Sequence, residues 1–120
     1  MDHTMWEYRP ECGTALEQSL VGFTVHAADG VIGQVDRQDT RPGIQHVIVD
    51  TGMWVFGKSV LIPAGAVVRI DSHARTMTIG NTRQEIKAAP RFTVDRETTD
   101  LSYLSDVGHY YLSLTSTSAL

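Results

Sequence analysis

From Leu20 onward the chain runs in short β-branched stretches, broken by turn residues every eight to twelve positions or so, the rhythm of a small sheet, sandwich or barrel. Val21, Phe23 and Val25 alternate with Gly22, Thr24 and His26, the period of a strand with one face in a core. Asp29-Gly30 permits a tight hairpin turn, and Val31, Gly33 and Val35 begin the return strand, with Gly33 marking a bulge or bend. After the turn signal Arg41-Pro42-Gly43, Ile44 to Asp50 form the clearest strand pattern. The uninterrupted run Val47-Ile48-Val49 predicts burial on both faces. Thr51-Gly52 turns the chain, Met53 to Gly57 make an apolar loop, and Lys58 to Pro63 return as a strand that Pro63 ends or places at an edge. Val67 to Asp71 and Thr76 to Gly80, joined through Ser72 to Arg75, complete a last hairpin with Ile70, Met77 and Ile79 as core candidates. Six strands are expected.

Helical signals are confined to the second half. Thr82 and Glu85 have the spacing of a capping box, in which hydroxyl and carboxylate each satisfy an orphan backbone N–H. Lys87 and Pro90 close that short helix, with Ile86 as its packing residue. Further on, Leu101, Leu104 and Val107 recur at helical spacing up to Gly108, which reads as a stop. Tyr110, Leu112 and Leu114 then alternate as a strand would. This extension is too small to fold alone, so it docks on the sheet, joins a partner subunit, or stays mobile. Residues 1–16 are polar and aperiodic and read as an amino-terminal tail.

Composition narrows the class. A chain of 120 residues and 13.2 kDa buries a real core but leaves no room for a second domain. Thirty-two Val, Ile and Thr residues against twenty-four Ala, Leu, Glu and Lys tip the balance toward strands. The net charge of −4 repels phosphate backbones and anionic lipid, so nucleic acid is not the expected partner. Cys12 is the one cysteine, which excludes an intrachain disulfide, and no activating cluster adjoins it. The amino terminus lacks the pattern of a secretory signal, and the longest apolar run, Val60 to Val68, is far short of a bilayer span. A cytoplasmic location is expected.

One motif points elsewhere. Gly52 to Ser59 matches G-x-x-x-x-G-K-[ST], the phosphate-binding pattern of nucleotide hydrolases. That chemistry needs a helix to start at the lysine, so that backbone amides and the helix dipole face the phosphates. Here Val60-Leu61-Ile62-Pro63 follows, which is strand-forming and stopped by proline, and bulky Met53 to Phe56 occupy the positions where phosphate would approach the backbone. The stretch reads as a hairpin loop.

The same stretch, His46 to Gly52, then Trp54, Gly57 and Val60 to Pro63, resembles the signature of the PRC-barrel family, the small barrel named after the cytoplasmic domain of the photosynthetic reaction-centre H subunit. The resemblance extends upstream through Gly22 to Val35 and downstream through Val68 to Asp71 and Thr82 to Pro90. It implies a mainly-β fold: a barrel of about six strands over residues 17–94 with one short helix, flanked by the tail and a carboxy-terminal extension over 95–120. It also implies an interaction and assembly module, as in the reaction-centre subunit and in a ribosome-maturation factor, without a shared catalytic motif.

Other constellations are weak. His26, His46 and His73 lack metal-ligand spacing, and no metal or other cofactor is expected. Asp29 and Asp50 lie beside glycine-bearing turns, where aspartate stabilises the backbone; with Asp36 and Asp39 they lack the base or nucleophile that would complete a mechanism. Trp54 and Phe56, in a loop between strands, either cap a barrel end or face a partner. Tyr103, Tyr110 and Tyr111 pose the same choice between interface and docking. The expectation is a non-enzymatic, protein-binding homodimer whose partner the sequence does not name. The alternatives are an RNA- or ribosome-linked factor and a small-ligand carrier or enzyme with a barrel-end pocket.

Overall fold

The computed structural model describes residues 5–8, 19–41, 43–52, 59–89 and 101–118, without the side chains of residues 101 and 115–118. The six expected strands are present: β1 (Thr24–Ala27), β2 (Gly30–Asp39), β3 (His46–Asp50), β4 (Ser59–Pro63), β5 (Val67–Asp71) and β6 (Thr76–Ile79). Two helices follow, α1 (Arg83–Lys87) and α2 (Leu101–Ser118). One sheet contains all six strands in the order β4-β3-β2-β1-β6-β5, with every neighbouring pair antiparallel except β1 and β6.

That order forces curvature. β4 and β5 are its opposite ends, yet only the 3₁₀ turn Ala64–Ala66 separates them in the chain. Four residue steps span at most about 14 Å, whereas five strand spacings laid flat span about 24 Å. The sheet therefore curls until its two ends approach one another at this corner. No ladder joins β4 to β5 among the described residues, so the fold is a strongly curled, mainly-β sheet.

The concave side holds the core, where Phe23, Val25, Val47, Ile62, Val67, Met77 and Ile79 have no exposed surface. Val47, Ile48 and Val49 are all buried, as their unbroken apolar run predicts. Gly33 lies at an irregularity where β1 and β2 change register. A Cβ there would clash with the carbonyl oxygen of Asp50, so side-chain-free backbone lets β2 cross β3 closely.

Three expectations need correction. Val21 does not enter the first strand: the chain turns there, with Gly22 at φ +91° and the Phe23 N–H donating to the Leu20 carbonyl, and Val21 is left 46% exposed. Gly108 does not stop a helix, and Tyr110 to Leu114 do not form a strand. α2 runs through both, because Leu104, Val107, Gly108 and Tyr111 form one buried stripe at i, i+3, i+4 and i+7. The apparent alternation was accidental, as Leu112 is 45% exposed and Tyr111 is buried instead. Finally, Met5 to Tyr8 of the expected tail are packed on the fold, with Met5 buried.

Candidate functional site

The tyrosines of α2 divide by depth. Tyr111 is buried in the core, and desolvation holds its hydroxyl well above the ordinary phenol range. Tyr110 crosses it in a T-shaped contact with centroids 5.5 Å apart and donates a 2.6 Å hydrogen bond to the Glu85 carbonyl on α1. Burial raises its hydroxyl as well, with the Glu85 charge adding to it. Tyr103 is half-buried against the same core. Of the expected interface residues, then, Tyr111 is core and Tyr110 ties α2 to α1. Trp54 and Phe56 lie outside the described residues. The segment that carries them joins β3 to an antiparallel β4, with Asp50 opposite Ser59. A strand, β4, rather than a helix begins at Ser59, so the helix that the phosphate-loop chemistry needs is not found there.

A second cluster, which sequence reasoning missed, joins both ends of the chain at the mouth of the β3–β4 hairpin. The Gly65 N–H donates to the Met5 carbonyl at 2.7 Å and the Gln45 N–H to the Trp6 carbonyl at 2.9 Å. The segment Met5–Tyr8 thus lies as a strap along main-chain donors just outside β3 and β4. A Cβ on Gly65 would come within 2.8 Å of the Met5 backbone, and one on Gly108 within 2.9 Å of the Trp6 indole nitrogen. Gly65 is required by close approach of backbone, and Gly108 leaves room for the Trp6 ring. Beneath the strap, His46 is 1% exposed, its Nδ1 lies 2.6 Å from the Ile44 carbonyl, and its ring meets that of Trp6 at 85° with centroids 5.9 Å apart. The signals present in the sequence were Met5 and Trp6, two large apolar residues in a polar stretch.

The carboxylates serve the main chain. Asp50 accepts from the Gly52 N–H at 2.9 Å and Asp71 from the Ala74 N–H at 3.1 Å. Asp29 reaches across 54 residues to accept from the Arg83 N–H in the first turn of α1. Thr82 and Glu85 complete the capping box. Asp39 is bonded to the Arg41 guanidinium, which holds its carboxyl below the usual carboxylate range. Asp36 lies 3.6 Å from the Arg37 guanidinium on the surface. His26 is half-buried on β1 and His73 is exposed in the β5–β6 turn. Among the described residues no group of three or more His, Cys, Asp or Glu is placed to hold a metal ion.

The two ends of the sheet differ. Val60 to Pro63 of β4 are all buried, and α2 packs against this strand. Among the described strands β5 pairs with β6 alone, Arg69 is exposed, and a register irregularity lies between Val67 and Arg69. Bulges and charged side chains of this kind blunt an edge against indiscriminate pairing without removing its main-chain donors and acceptors. Among the described residues no helix is long and apolar enough to cross a membrane. No protein-family model matches the chain, and neither does any curated protein.

Proposed function

We propose that this chain is a non-enzymatic, cytoplasmic interaction module of the PRC-barrel type, acting through protein–protein contacts and pairing with a second copy of itself. The observation that carries this reading is the difference between the sheet's two ends. β4 packs against the chain's own helix and is buried from Val60 to Pro63, whereas β5, past the corner where the two ends approach, has an outer row of main-chain groups that no described strand takes up. Addition of a strand to such an edge is a common mode of protein recognition, and a two-fold pairing makes the same edge serve both copies. The commitment of Asp29, Asp50, Asp71 and Glu85 to backbone N–H groups supports a scaffold over a reaction centre, because an acid or base must be available to a substrate.

Light scattering on the full chain tests it. The expected mass at micromolar concentration is twice 13.2 kDa, and Val68→Lys, a charge added to the half-buried edge position, weakens dimerisation at least about tenfold. A chain that stays monomeric at every concentration contradicts the homodimer.

A further inference from the structure

We propose that the strap Met5–Tyr8 is a pH-sensitive latch, held shut over neutral His46 and released when that imidazole takes up a proton. The inference does not depend on the proposed function. Its geometry is a coupled one: Gln45, adjacent to His46, gives its N–H to Trp6, and the Trp6 ring meets the His46 ring. A carbonyl can only accept, so the bond to Ile44 places the His46 hydrogen on Nδ1 and leaves Nε2 as the atom that would be protonated.

The neighbouring charges do not offset the burial. From β2, Asp39 is the cross-strand partner of His46 and favours the imidazolium, but its carboxylate is bonded to Arg41, and Arg41 and Arg37 both oppose a positive ring. Opposite on β4 stands Pro63, which carries no charge. Glu7 on the strap and Asp106 and His109 on α2 are exposed. Desolvation is the largest influence and holds the ring below its ordinary range.

The sign follows from linkage. With the strap open, the ring titrates near the ordinary value of about 6.5; with the strap closed it titrates lower. The closed form is fully favoured above the open-state value and loses its advantage as pH falls from there toward the closed-state value. Across that window the open population rises by up to about tenfold per pH unit. Opening bares Met5, the Trp6 indole and the two glycines they cover, Gly65 and Gly108.

Amide hydrogen exchange of the full chain, corrected for intrinsic rates, tests the latch. Between pH 7.5 and 5.5, protection of the Gln45 and Gly65 amides is expected to fall about tenfold relative to the Val49 amide in mid-β3. His46→Asn, which keeps a donor for the Ile44 carbonyl, abolishes that relative change. If this variant does not fold, NMR titration of the His46 ring replaces it: the midpoint lies below 6.5 in the native chain and moves up in Trp6→Ala. Relative protection that is independent of pH, an equal pH response in His46→Asn, or a His46 midpoint unmoved by Trp6→Ala overturns the proposal.

Discussion

The two ends of the curled sheet solve the edge problem by different means. At β4 the chain uses non-local packing: α2 lies against the strand, every residue from Val60 to Pro63 is buried, and the strap crosses the hairpin mouth beside it. At β5 it uses local devices, a register irregularity and the exposed Arg69, and leaves the outer main chain untaken by any described strand. A covered edge contributes to stability; a blunted one remains available for pairing. In this fold the long-range packing of α2 and the strap lies at the β4 end, and the local blunting lies at the β5 end.

The largest effect expected from breaking this asymmetry is at Tyr111. Tyr111→Ala removes the side chain that α2 buries most fully, the largest fully buried one among the described residues, and costs about 3–5 kcal/mol in urea unfolding. Next comes Gly65→Ala, whose Cβ meets the Met5 backbone. The overpacking costs about 1–3 kcal/mol, and the strap is expelled, seen as increased quenching of Trp6 fluorescence. Thr82→Ala, which removes the cap of α1 away from both edges, lowers stability by about 1 kcal/mol. The smallest effect is at the β5 edge itself, where Arg69→Ala changes the unfolding free energy by no more than about 0.5 kcal/mol. An Arg69→Ala loss as large as that of Tyr111→Ala would erase the contrast.

The same asymmetry explains what the sequence made legible. β3, β4 and the last hairpin announce themselves because their signals are local: a β-branched run, a turn residue, a proline stop. The capping box at Thr82 and Glu85 is likewise complete within four residues. The turn role of Asp50 is visible for that reason too, whereas Asp29 accepts from Arg83, far along the chain. The β4 side was hidden because its partners are distant. Nothing near Met5 indicates that Gly65 will receive it, and Gly108 reads as a helix stop until Trp6 supplies the reason for the missing side chain. Tyr110, Leu112 and Leu114 mimic a strand only while Leu104, Val107 and Tyr111 are not seen to share a buried stripe. The candidate interface at Tyr103, Tyr110 and Tyr111 was found by residue type, and depth then separated Tyr111 from the other two. His46 was visible as a residue but not as a buried one, since its ring meets Trp6, forty residues away in the chain.

In the proposed reading β5 is the edge available for pairing and β4 is not. Hydrogen exchange measured across a dilution series tests it most directly. Dilution is expected to speed exchange of the outward-facing β5 amides between Val68 and Asp71, while those of Val60 to Ile62 in β4 stay equally protected. Equal responses at the two edges, or a β5 edge indifferent to concentration in a chain that scatters as a dimer, would contradict it.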